Sequence, residues 1–145
     1  MAQVATDIII PNEKGQILLM KRSKYPFKGK WVLPGGHSEE YEEVEKTAVR
    51  EAKEETGISI ELEDILGAYS KPERDPRGDY ISITFIAKPS NEKPTKNEEA
   101  TEIKWINPAE VKKKETGFDH YQMIQHYLKW IKTKKTGWSK RPPLI

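Results

Sequence analysis

Between Gly35 and Ile58 the chain carries eight glutamates against three basic residues. Like carboxylates repel, so crowding them requires either open solvent or a cation. Spacing separates the two cases. On a helical wheel running from about Glu43 to Thr56, Val44, Ala48 and Ala52 share one apolar sector, and Glu51 and Glu55 fall at its edge. Glu54 and Glu55 follow Glu51 by one turn, so the three carboxylates can converge. A purely solvating run would avoid the small apolar stripe. Glu45 does avoid it, and with Glu39, Glu40 and Glu43 reads as an exposed face at a helix start. Carboxylates gathered at a half-buried position raise one another's pKa unless a cation intervenes. Hard oxygen donors call for Mg²⁺ or Mn²⁺, and Mg²⁺ commonly pairs one or two carboxylates with substrate phosphates. The Asp/Asn-rich loop of an EF-hand calcium site is absent. Arg50 can fork onto a neighbouring carboxylate and leave the others for metal, or form an ordinary surface ion pair.

The segments around this helix alternate in type. "VATDIII" and "QILLMKR" read as strands joined by the turn residues "NEKG", which predicts a hairpin. "WVL" is a short strand stopped by "PGG", and Gly57 is the expected C-terminal stop of the acidic helix. "ISIELEDILGAYS", "YISITFIAK" and "TEIKWIN" supply further strands. Asn107 and Pro108 open a short helix. Phe118 to about Lys134 forms a last helix, with Ile124, Tyr127, Leu128 and Ile131 as its buried stripe. The fold class is α/β (α+β): a mixed sheet flanked by helices.

Composition agrees. A chain of 145 residues with 33% charged and 35% apolar content suits one globular domain spanning 1–145, with a basic C-terminal tail from about 135 to 145. A net charge of +2 argues against bulk nucleic-acid binding. The absence of cysteine excludes disulfides and thiolate chemistry. No run approaches the length of a membrane span and no leader pattern opens the chain, so the expectation is a cytoplasmic protein with no membrane partner.

The order Gly36, Glu42, Arg50, Glu51, Glu54, Glu55, Gly57, Ile58 resembles the complete Nudix box of the Nudix hydrolases over residues 36–58, and "WVLPGG" before it and "EIKWI" with "NPAEV" after it resemble the family too. Tyr41 stands where many members have glycine and Glu43 where many have serine. The resemblance implies a Nudix-like α/β/α sandwich with a mixed central sheet and the Nudix loop–helix–loop. It also implies divalent-metal-dependent hydrolysis of a nucleoside diphosphate linked to another moiety. Glu51, Glu54 and Glu55, with Gly36 ahead of them, match the family's metal-site positions, while Glu42, Arg50 and Gly57 match positions that support or complete it. The general base in the family is sometimes a box glutamate and sometimes a later carboxylate; Glu98, Glu99 and Glu102 are the late candidates, Glu99 being the expected catalytic one.

Substrate choice must come from flanking residues. Pro72 and the string "RDPRG" resemble the ADP-ribose pyrophosphatases of the family, which implies cleavage of ADP-ribose to AMP and ribose 5-phosphate and a homodimer. Arg74 and Arg77 offer forked donors, and Asp75 can meet ribose hydroxyls or cap the turn. Arg22 and Lys30, with Lys28 nearby, are further phosphate candidates. Tyr25, Phe27, Trp31 and Tyr80 are candidate base platforms, His37 a candidate phosphate contact, and His120 and His126 are expected at the surface. The alternatives are another nucleotide substrate (an oxidised deoxynucleoside triphosphate, a diadenosine polyphosphate or a dinucleotide cofactor) or a non-catalytic nucleotide- or RNA-binding module.

Overall fold

Strand β1 (Gln3–Ile9) carries five consecutive buried residues, where a half-exposed strand would alternate. Both of its faces are covered, which is why "DIII" shows no polar period. In the computed structural model, which describes residues 1–144, the further elements are β2 (Ile17–Arg22), β3 (Trp31–Val32), β4 (Gly35–His37), α1 (Val44–Thr56), β5 (Ile60–Tyr69), β6 (Tyr80–Pro89), β7 (Ala100–Ile106), α2 (His120–Thr133) and β8 (Gly137–Trp138). A mixed sheet runs in the order β4-β1-β6-β5-β8, and a smaller antiparallel sheet in the order β3-β2-β7. Ile8 and Ile10 pack with Ala48 and Ala52 of α1, while Ile9 packs with Met123, Ile124 and Trp130 of α2. One helix therefore covers each face, the α/β/α layering expected.

The predicted hairpin forms only near its turn. The Asn12 N–H donates to the Gln16 carbonyl at 2.8 Å, Pro11 bridges Ile17, and the Leu18 N–H donates to the Ile10 carbonyl at 3.1 Å. Beyond these residues the strands part, β1 pairing with β4 and β6 and β2 pairing with β3 and β7. Turn chemistry fixes the reversal, but two strands each buried on both faces find better partners in separate sheets.

Helix α1 stops as its sequence indicates, Gly57 adopting φ 72° while its N–H donates to the Lys53 carbonyl. The stripe on α2 is rotated from expectation: Met123, Ile124, Tyr127 and Trp130 are buried, whereas Ile131 is exposed and Leu128 lies between. Trp130 carries more apolar area than Ile131 and also donates its indole N–H to Asp64 at 3.0 Å, so the helix turns that face inward. Part of the basic tail folds back on the same sheet. Gly137 and Trp138 pair with Gly67 and Ala68, and the Ser70 N–H donates to Ser139 Oγ at 2.7 Å. A methyl group on Gly67 would strike the Gly137 carbonyl, so this pairing requires glycine there.

Candidate active site

Arg50 organises the acidic helix. Its Nε and Nη2 donate to the two oxygens of Glu42 at 2.8 and 2.9 Å, Nη1 donates to Glu51 Oε1 at 2.9 Å and to Glu54 Oε2 at 3.3 Å, and Nη2 also reaches the His37 carbonyl at 3.1 Å. Glu42 further accepts from the Thr47 hydroxyl and the Glu39 N–H. The Arg50 fork, then these two bonds, hold the Glu42 carboxyl down to about 2. Glu42 is thus a permanent anion that fixes the loop before α1 and aims Arg50.

Glu55 is the buried glutamate of the helix. Its Oε1 accepts from the Gly35 N–H at 2.8 Å. Burial pushes its pKa well above the usual carboxylate range; the Gly35 bond opposes the rise, and the neighbouring Glu99 and Glu51 add to it. Burial raises Glu51 as well, Arg50 opposes it, and Glu54 and Glu99 add to it. Glu54 is more than half exposed, turned toward Arg50. Glu51, Glu55 and Glu99 are thus brought into mutual repulsion, with Glu54 at the rim. Among the described residues no three Asp, Glu or His side chains already surround one point as a finished cage. The expected convergence of Glu51, Glu54 and Glu55 is a shared neighbourhood whose last ångströms a cation would draw in.

The donor set fits a hard divalent ion: carboxylate oxygens, two of them destabilised by burial and by one another, beside open backbone. Thr6, whose register partner is Gly36, holds the buried side-chain oxygen left without a partner among the described residues. Gly36 itself lies so close to Glu51 that an added methyl would land on the carboxylate. Gly36→Ala is therefore expected to displace Glu51 and lower turnover about 100-fold or more, by analogy with losing one well-placed charge-stabilising group. The fold should survive, with circular dichroism unchanged; parental kinetics in this variant would show that the contact is irrelevant.

Beside the acids opens a cleft with about 70 Å³ of enclosed space, lined among others by Glu55, Glu99, Gly36, Arg22, Arg77 and Phe118. Of the late carboxylates only Glu99 lines it. Glu102 is tied to Lys21 at 3.1 Å and Lys104 at 3.3 Å, and Glu98 is exposed. Within the same lining Arg22 and Arg77 lie over the Phe118 ring at 5.4 and 5.6 Å; behind it Arg77 also faces Tyr80 at 5.9 Å, and His37 stacks on Tyr80 at 4.4 Å. Burial, then Arg77, lower the pKa of His37, which keeps its ring neutral near pH 7. Arg22 donates to the Pro26 carbonyl.

Other candidates are placed differently. Lys30 donates to the Lys114 carbonyl at 2.6 Å and does not line the cleft. Arg74 lines the floor, but its guanidinium is almost wholly buried and forks onto Asp119 at 2.8 and 2.9 Å, with Asp7 at 3.7 Å. Asp75 accepts from the Arg77 N–H at 2.9 Å and from its guanidinium at 2.8 and 3.0 Å, so it caps the turn and steers Arg77. Tyr25 is exposed, and Phe27 packs on Phe118 at 4.7 Å.

His120 is not the surface residue expected, and His126 is half-buried. His120 is buried, its Nδ1 accepting from the Leu33 N–H at 2.9 Å and its Nε2 lying 3.2 Å from Asp7. His126 meets the buried Tyr69 hydroxyl at 2.8 Å. Both sit on the inward half of α2, whose rotation also placed Trp130. Sequence reading passed over Asp7, Phe118 and Asp119 as site residues. Asp7 did leave a signal, a lone charge inside an otherwise apolar strand. Burial alone would raise its pKa, but His120, Arg74 and the Ser82 hydroxyl lower it overall, so it stays an anion at the cleft floor.

A model of the NUDIX domain family matches residues 1–127. An ADP-ribose pyrophosphatase of Methanocaldococcus jannaschii is 42% identical over 127 residues, which cover 88% of this chain and 73% of that protein. An ADPR responsive transcriptional repressor of Acinetobacter baylyi is 30% identical over 139 residues, covering 90% of this chain and 55% of the repressor. The structure of the NUDIX domain of Shewanella oneidensis NrtR complexed with ADP ribose is similar with a TM-score of 0.77 at 28% identity, covering 90% of this chain and 89% of that one.

Proposed function

The chain belongs to the NUDIX domain family, and from that premise we propose that it is a single-domain Nudix hydrolase that splits the diphosphate of ADP-ribose into AMP and ribose 5-phosphate, with Mg²⁺ as its metal and Mn²⁺ as a substitute. The observation that carries this reading is one cleft lined both by the repelling carboxylates Glu55 and Glu99, with Glu51 close enough to add to the repulsion, and by two arginines, Arg22 and Arg77. A bound diphosphate with its cation would satisfy both sets at once. The similarity to an ADP-ribose pyrophosphatase supports the choice of substrate.

Glu51, Glu54 and Glu55, with the backbone at Gly36, would hold the metal, which supplies charge neutralisation at the phosphate and a more acidic water. Arg50 keeps Glu51 aimed, and Glu42 keeps Arg50 in place. Glu99, the late carboxylate that lines the cleft beside Glu55, would take the proton from the attacking water. Arg22 and Arg77 bind phosphate oxygens. Arg74 acts through the loop it anchors, and Asp75 through Arg77. Phe118, Tyr80 and His37 form an aromatic wall able to take the adenine face. Among the described residues no helix is long and apolar enough to cross a membrane. A nucleotide substrate suits the cytoplasm, and a homodimer belongs to the same proposal by resemblance to the ADP-ribose enzymes.

A substrate panel tests it: ADP-ribose, an oxidised deoxynucleoside triphosphate, diadenosine polyphosphates and a dinucleotide cofactor, each with and without Mg²⁺ or Mn²⁺. The expected result is equimolar AMP and ribose 5-phosphate from ADP-ribose, only with metal. Absence of any preference for ADP-ribose would sink the assignment. The likeness to the repressor domain complexed with ADP ribose favours one second reading, a sensor that binds the nucleotide. Saturable ADP-ribose binding with no product at any metal concentration would select it.

A further inference from the structure

A second cavity, of about 300 Å³, opens at the C-terminal end of α2 and shares no lining residue with the catalytic cleft. It is lined by Lys129, Lys135 and Arg141 together with His126, Thr133 and Thr136. From Lys129 to Leu144 the chain holds six basic and no acidic residues. Among the described residues none of the three lining cations lies within ion-pair distance of a carboxylate.

Dipole compensation at a helix end does not account for them. The C-terminus of a helix presents roughly half an elementary negative charge. One nearby cation offsets that, and Lys132 lies in the last turn of α2. Lys134, at the cap, is occupied over the Trp130 ring at 3.6 Å. Three further cations around one concavity leave an excess of positive charge. His126 registers it: burial, then Lys129 and Arg141, hold its pKa below the usual range.

The cavity is also rich in donors. In the tautomer whose ring proton sits on Nε2, the Tyr69 phenol, kept protonated by burial, donates to His126 Nδ1 across the 2.8 Å contact and leaves an imidazole N–H for a ligand. Gly137 lies hard against this pair, where a side chain would collide with the Tyr69 hydroxyl and the His126 ring. Two ammonium groups, a guanidinium, an imidazole N–H and a threonine hydroxyl suit a doubly charged tetrahedral oxyanion. The volume lies at the lower end for small-molecule sites, room for a phosphate with a sugar-sized remainder.

We propose that this cavity is a second ligand site, which binds a phosphate dianion, either free or as the terminal group of a small phosphomonoester, through Lys129, Lys135, Arg141 and His126. The three histidines of the chain make it testable in one spectrum, since His37 and His120 line the catalytic cleft and His126 lines this cavity. The full-length protein, labelled with ¹⁵N at histidine, is titrated with inorganic phosphate, ribose 5-phosphate or AMP, against sodium chloride at matched ionic strength. The expected result is a saturating shift of His126, with its pKa rising on binding, whether or not His37 also moves. Lys129→Ala and Arg141→Ala should each weaken the His126 saturation tenfold or more while ADP-ribose hydrolysis keeps its parental rate. Equal affinity for all three phosphates assigns the site to free phosphate; tighter binding of ribose 5-phosphate or AMP assigns it to a phosphomonoester. A His126 shift that is linear and matched by sodium chloride, or a saturation unaltered in both variants, overturns the proposal. Neither outcome bears on hydrolysis in the cleft, which His37 and product formation report separately.

Discussion

Glu55→Gln is expected to lower turnover of ADP-ribose about 10²–10⁴-fold, the range for removing a proton-transfer or charge-stabilising group, while leaving the fold intact. Glutamine retains an oxygen to accept the Gly35 N–H. It cannot take the negative charge that a cation would neutralise. The same variant should be more stable than its parent in metal-free buffer at neutral to alkaline pH. The sign follows from the raised pKa of Glu55 in the folded protein. The native state binds that proton more tightly than the unfolded chain does, so parental stability is greatest below the ordinary carboxylate range and falls as pH rises through the native value. Glutamine removes that fall. Thermal melts at pH 4 and pH 8, run with and without Mg²⁺, check it alongside the kinetics. Added metal should restore the parent at pH 8 and do little for the variant. Full turnover, or a parent unaffected by metal, would refute the role given to Glu55.

Asp119→Ala should be the most destabilising single change at the site, costing about 3 kcal/mol, the lower bound for stripping one partner from a buried ion pair. The Arg74 guanidinium, with only a few per cent of its surface exposed, would lose both hydrogen bonds and keep only the 3.7 Å approach to Asp7. For a domain of this size that loss corresponds to a melting point lower by roughly 10 °C. Arg74 also ties the loop before β6 to the start of α2, and that loop carries Asp75 and Arg77. KM for ADP-ribose should therefore rise more than kcat falls. Replacing both partners, Arg74→Leu with Asp119→Leu, should recover much of the stability but not the KM, because the buried charge is gone and the anchor with it. A double variant as unstable as Asp119→Ala would mean that Asp119 acts on something other than Arg74.

Much of the catalytic helix was legible because its logic is local. The positions of Glu51, Glu54 and Glu55 relative to Ala48 and Ala52 are set by helical geometry, and Gly57 ends the helix through its own backbone freedom. The strand "YISITFIAK" and the cap at Asn107 are equally local, the latter donating no surprise when its side chain accepts from the Ala109 N–H. The hairpin is shorter than expected because a turn specifies a reversal and not how far the two strands stay partners. The α2 stripe was right at Ile124 and Tyr127 and wrong at Ile131, because Trp130 and Ile131 are both apolar and only the facing sheet decides between them.

The sequence by itself determined that several carboxylates would share one turn of a helix and that arginines would follow in a turn-rich loop. Tertiary structure alone decided which residues meet across the chain. It set Glu99 beside Glu55 in preference to Glu98 or Glu102. It made Arg74 an anchor while leaving Arg77 at the cleft, and it brought His120 onto Asp7. The physical reason is that periodicity encodes the face a residue presents. Its partner depends on strand register and sheet order, which are settled by the packing of every element at once.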